Sequence, residues 1–181
     1  FFTCGGMKGS ARFILQELMG ERGYELSNAF VAKMPSNYIA FLNPPSESRM
    51  KKLFAKADET VDAAVADVLA RKTPEVVRVF PFDALSDLVA KRATAILHDY
   101  DKYFWVKESC DACGLCERIC PESNIIIQNG MPTWHSHCIQ CMACVQWCPK
   151  QAIQFKQATL KRKRYHHPDV RVDDLILKIC K

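Results

Sequence analysis

The chain has 181 residues, 49% of them apolar, with 25 Lys and Arg against 20 Asp and Glu for a formal charge of +5. A chain of this length buries roughly 70% of its unfolded surface, so one or two globular domains are expected, and a charge so mild and dispersed does not by itself argue for nucleic-acid binding. No apolar run reaches the ~18 to 20 residues of a membrane span, and no signal peptide is evident.

"FFTC" at the start reads as a short apolar strand and "GGMKGS" as a glycine-rich turn. Ala11, Ile14, Leu15, Leu18 and Met19 then recur at helical spacing, with Gly23 as a stop. "YELSNAFVAKM" reads as a second strand and "PSNYIAFLNPPS" as a proline-bounded loop. Ser46 is expected to cap a helix whose stripe of Met50, Leu53, Phe54, Ala57, Val61, Ala64, Val65, Val68 and Leu69 ends before Pro74. Strand, helix, strand, helix predicts a parallel α/β sheet with right-handed crossovers. Two strands are too few for a sheet covered on both faces, so further strands are expected from before Phe1, and the chain is expected to be a fragment or a processed product. Between residues 75 and 100, Leu85, Leu88, Val89, Ala95 and Ile96 share one face of a predicted bridging helix.

Ten cysteines dominate the composition, and eight of them lie in "CDACGLCERICP" from Cys110 and "CIQCMACVQWCP" from Cys138. Cys4, read as a small strand-end residue, and Cys180, read as incidental, stand apart. Both blocks follow C-x2-C-x2-C-x3-C-P, the bacterial run that holds [4Fe-4S] clusters. Three cysteines two residues apart wrap one cluster, and the fourth, held by a proline, turns away to ligate the other. The expected ligands are therefore Cys110, Cys113, Cys116 and Cys148 for the first cluster, and Cys138, Cys141, Cys144 and Cys120 for the second. Zinc sites pair two C-x2-C units at wider separation without a third close cysteine, and disulfides this tightly grouped would close small strained loops. The repeat extends beyond the blocks, since "PESNIII" and "PKQAIQF" set an isoleucine at the same offset from proline, so a pseudo-twofold module is predicted. Gly114 suits a loop position needing φ > 0; Met142 holds the matching place, so the two loops need not be identical there.

With "FFTCGG", "GSARFILQELMGERGYELSNAFVAKMPSNYI", both cysteine blocks, "MPTWHSHC" and the tail "KRKRYHHPDV", the chain resembles bacterial and archaeal fusions of a flavodoxin-like region with a 2[4Fe-4S] ferredoxin. The resemblance implies the C-terminal part of an α/β flavodoxin-like domain at 1–73, a helical linker at 74–101, a small α+β ferredoxin domain at 102–160 and a basic tail at 161–181. By the same resemblance Thr3, Cys4, Gly5 and Gly6 would touch a flavin. The Ser/Thr-rich phosphate loop of such proteins is absent, so FMN is expected only with a preceding segment.

His135, His137, His166 and His167 are read as solvated or hydrogen-bonded, because eight cysteines already complete two cubanes. Tyr103, Phe104, Trp105, Trp134 and Trp147 are read as shielding the clusters and supplying core. "KRKR" at 161–164, with Lys150 and Lys156, is read as a solvated charge run, with guidance of an acidic redox partner as the functional alternative. These readings predict a cytoplasmic electron carrier without catalytic side chains, with potentials on the order of −400 mV and a redox partner protein, no nucleic acid and no membrane span. The enzyme alternative is a flavin-dependent reductase fed by the clusters; a third reading is a structural or oxygen-sensing module.

Overall fold

In the computed structural model, which describes residues 1–6, 9, 11–73, 85, 88, 92 and 96–176, the chain forms two units: 1–36 with 45–93, and 37–44 with 94–181. The bridging helix expected near 75–100 lies mostly outside the described residues, as does Cys180.

In the first unit β1 (Phe2–Cys4) pairs in parallel with β2 (Val31–Lys33), in the register Phe2 to Val31 and Cys4 to Lys33. Helix α1 (Ala11–Gly20) makes the crossover and buries Phe13. The second strand is shorter than the sequence predicts: only three residues of "YELSNAFVAKM" pair, because β1 itself offers only three partners. Among the described residues the sheet has these two strands, so the mixed α/β character stands but a flavodoxin-like sheet is not formed by them. Gly5 is required here, since a Cβ would sit 2.7 Å from Ser36 Cα.

Helix α2 (Glu47–Leu69) starts after Ser46, which has the expected extended N-cap backbone but makes no side-chain cap bond; its Oγ lies 3.3 Å from Ser48 Oγ. Ala57 and Ala64 of the predicted stripe are buried, whereas Val61, Val65, Val68 and Leu69 are exposed. The stripe therefore packs through its N-terminal half, where Met50, Leu53 and Phe54 are half-buried, and through its two alanines, while its C-terminal large residues face outward.

The second unit is built on a repeat. Strands β3 (Phe104–Val106) and β6 (Ile153–Phe155) pair antiparallel, as do β4 (Ile125–Gln128) and β5 (Met131–Trp134). A shift of 28 residues carries one ladder onto the other: Phe104 to Phe155 becomes Pro132 to Ile127, and Val106 to Ile153 becomes Trp134 to Ile125. The bonds flanking the ladders follow the same shift, with Lys107 N–H donating to the Ala152 carbonyl and His135 N–H to that of Asn124. Asn129 and Gly130, with φ of 49° and 76°, form the two-residue turn between β4 and β5, the Asn-Gly pair that favours a tight hairpin.

The core of this unit joins Phe104, Ile125, Met142, Val145, Ile153 and Phe155 to Ile39 and Ala40. Residues 37–44 belong to it because Ile39 is fully buried there and its carbonyl accepts a bond from Arg162 Nη1. Phe104 stacks on Trp134 at 5.3 Å and meets Phe155 edge-on at 5.0 Å.

Candidate iron-sulfur centre

The two cysteine blocks form superimposable loops. Each has a left-handed residue before its second cysteine, Ala112 (φ 54°) and Gln140 (φ 55°), and another after it, Gly114 (φ 71°) and Met142 (φ 60°). A single-turn helix follows in each, Leu115–Arg118 and Ala143–Gln146. The freedom that methionine in place of glycine left to the second loop is not used. Met142 is 1% exposed, and burial of its side chain offsets a backbone conformation that costs an L-residue roughly 1 kcal/mol.

The turns closing the blocks also correspond. Ser123 and Gln151 both have positive φ, and their N–H groups donate to the Cys120 and Cys148 carbonyls. The next N–H in each, from Asn124 and Ala152, points at the Sγ of Cys120 (3.3 Å) and Cys148 (3.2 Å). Cys138 Sγ accepts from the backbone N–H and side-chain Nε2 of Gln140, both at 3.3 Å. N–H groups aimed at sulfur favour the thiolate, the form that binds metal.

Two small cavities result. Cys110, Cys113, Cys116 and Cys148 border the first, together with Ile127 and Ile153. Cys120, Cys138, Cys141 and Cys144 border the second, together with Phe104 and Met142. Three thiols in each come from one block and the fourth from the other. Among the described residues no three His, Cys, Asp or Glu side chains converge on a single ion; the thiols stand around a space instead. The donor chemistry fits a thiolate-held polynuclear group with apolar walls.

Electrostatics in these cavities call for added positive charge. Burial, reinforced by Cys113, Cys148 and Cys110, pushes the Cys116 thiol up to about 11 against the opposing bond from the Glu117 backbone. Cys144 is raised well above its ordinary value by burial and then by its neighbouring thiols, and Cys138 and Cys141 are raised mainly by burial. Four crowded thiols cannot all ionise without a cation among them.

Of the predicted flavin contacts, Thr3, Cys4 and Gly6 border a cavity of about 630 Å³ in the first unit, together with Arg12, Phe13 and Phe30. Gly5 packs against Ser36 instead. Two of the histidines are held through their rings: His166 stacks on Trp147 at 3.8 Å with Nε2 2.6 Å from the Gln146 carbonyl, and His167 Nδ1 accepts the Asp169 N–H, while His135 and His137 are exposed. The charge run is only half solvated. Lys161 and Lys163 are exposed, but Arg162 reaches the Ile39 carbonyl, and Arg164 lies half-buried with its Nη atoms on the Thr159 and Ile153 carbonyls at 3.3 Å. Lys156 Nζ sits over the Tyr103 ring at 4.1 Å, and Lys150 stands 3.9 Å from Asp111. Sequence reasoning took Arg164 only as one member of a solvated charge run and passed over Asp101 and Asn124. The signal for the last was its place beside the fourth cysteine of a block, where a side chain reaches the partner loop.

A cysteine repeat bounded by matched antiparallel pairs defines a class. Residues 103–153 match the 4Fe-4S dicluster domain, so this segment is a ferredoxin-like iron-sulfur domain. The chain is also similar to the pyruvate synthase subunit PorD of Thermotoga maritima, 36% identical over 55 residues, which is 29% of this chain. It spans just over half, 56%, of that relative's length. No solved structure matches. Among the described residues no helix is long and apolar enough to cross a membrane.

Proposed function

We propose that the chain is an electron-transfer protein carrying two [4Fe-4S] clusters, one held by Cys110, Cys113, Cys116 and Cys148 and the other by Cys138, Cys141, Cys144 and Cys120. The observation that carries this is the pair of cavities, each bordered by four thiols in a three-plus-one arrangement. The clusters supply one-electron chemistry when bound. The chain's own residues hold the thiolates, direct N–H groups at Cys120, Cys138 and Cys148, and keep water away with Phe104, Ile127, Met142 and Ile153.

Similarity to a subunit of pyruvate synthase supports a protein as donor or acceptor. Thiolate sites of this kind belong in a reducing cytoplasm. The division into 1–73, a linker at 74–101, a dicluster domain at 102–160 and a tail at 161–181 goes with this reading. A second reading, a flavin-dependent reductase fed by the clusters, draws its support from the cavity bordered by Thr3, Cys4 and Gly6. It requires FMN to bind and its fluorescence to be quenched by this chain.

Anaerobic iron and acid-labile sulfide analysis with the visible spectrum tests the main reading. About eight iron and eight sulfide per chain, with broad absorption near roughly 400 nm that bleaches with dithionite, is the expected result. Zinc without sulfide would overturn it.

A further inference from the structure

The repeat that makes the two cavities alike in backbone is broken by a buried carboxylate and a half-buried guanidinium. Asp101, 4% exposed, accepts at Oδ2 from the Ser136 N–H (2.6 Å) and from Asn124 Nδ2 (3.2 Å). Both partners are donors, which suits an ionised carboxylate. Asn124 ties this charge to the second cavity: its own N–H points at Cys120 Sγ, and its Oδ1 accepts from the His135 (3.1 Å) and His137 (2.7 Å) N–H groups leading into Cys138. The residue that the 28-residue shift places opposite Asn124 is Ala152, whose methyl group can hold no such network.

Arg164 lies on the other side of the asymmetry. Its Nη2 bonds the carbonyl of Ile153, a residue bordering the first cavity, and its Nε is buried without a hydrogen-bond partner. No carboxylate pairs with it among the described residues. A guanidinium whose Nε is withdrawn from water in this way gains from a negative partner. Burial lowers its affinity for a proton, and the thiols of Cys148, then Cys144, oppose that shift. A thiolate-held iron-sulfur group in the first cavity is net negative and gains further negative charge on reduction.

We infer that Asp101 and Arg164 separate the reduction potentials of the two clusters, the carboxylate lowering that of the Cys120, Cys138, Cys141 and Cys144 site and the guanidinium raising that of the Cys110, Cys113, Cys116 and Cys148 site. This rests on the two-cluster reading above. Adding an electron beside a buried negative charge is disfavoured, and beside a positive charge partly withdrawn from water favoured, because the local dielectric screens each less than bulk water does. An electron entering at the second site then runs downhill to the first, which gives a near-symmetric module a direction. Both charges act as positioning and tuning groups and touch no substrate.

The test is an anaerobic redox titration of the loaded full-length chain, followed by electron paramagnetic resonance, on wild type, Asp101→Asn, Arg164→Gln and Arg164→Lys, each first assayed for iron and sulfide. Wild type should show two separated steps. Asp101→Asn should raise the lower potential and Arg164→Gln should lower the higher one, so each narrows the gap, by up to about tenfold in the reduction equilibrium or ~59 mV for one electron. Arg164→Lys should keep most of the gap. Should Asp101→Asn not load, Arg164→Gln alone decides. A single unresolved step in wild type, or a gap that neither substitution narrows, overturns the inference while the cluster reading stands. Wild type without iron and sulfide overturns the cluster reading, and this inference with it.

Discussion

Gly114 and Met142 occupy the same left-handed position in the two loops by different means. A Cβ on Gly114 would meet nothing within 4 Å, so Gly114→Ala should cost only the backbone strain, about 1 kcal/mol. Met142→Gly combines opposing effects: it relieves about the same strain but empties a site that is 1% exposed, at about 2–5 kcal/mol, and so should be net destabilising. Denaturant unfolding of equally loaded proteins compares them. Cys116 makes a second prediction at this scale. An acid raised by folding keeps its proton where the unfolded chain has lost it, so its contribution is complete below 9.0 and disappears as pH climbs towards about 11. The metal-free protein should therefore lose thermal stability over that window, and Cys116→Ser should flatten the loss. The loaded protein should respond at the other end, releasing iron on acidification as protons compete for thiolates. The cysteine positions were legible because motif spacing is local. Left-handed Ala112, Gln140, Ser123 and Gln151 were not, since nothing in those side chains announces a positive φ. Arg164 was hidden because a run of four cations looks solvated until a fold turns alternate members inward.

Among the elements, β3 lends Phe104 to the second cavity, and residues 37–44 lend Ile39 and Ala40 to the core of the same unit. Phe104→Ala removes a buried ring that stacks on Trp134, meets Phe155 and borders the second cavity. It should cost about 3–5 kcal/mol and speed bleaching of the visible band in air. Ile39→Ala, at a fully buried position well before the cysteine module in sequence, should cost about 2–5 kcal/mol. A cost within about 0.5 kcal/mol, as for a surface site, would detach residues 37–44 from that core. The alternation of strand and helix in the first 70 residues was readable from periodicity, but the length of β2 was not, because a strand extends only as far as its partner. The hairpin from β4 to β5 was present in the sequence as Asn129-Gly130 between apolar runs and went unread beside the cysteines.

At the scale of the whole molecule, each half of the repeat contributes one strand to each ladder and one thiol to the other half's cavity. The ends of this arrangement meet: Lys156 N–H donates to the Tyr103 carbonyl at 2.9 Å. Under the 28-residue shift that pair corresponds to Gln128 and Met131, the residues flanking the Asn129-Gly130 turn. The entry and exit of the dicluster module are thus a hairpin lacking only its two-residue turn. A chain opened between Asn129 and Gly130 should therefore still assemble the same pair of cavities from its two pieces, which keep residues 37–44 and Arg162 in place, and iron and sulfide analysis of the co-purified pieces would check it. By this geometry the order in which the two halves are written along the chain is immaterial to the module they build.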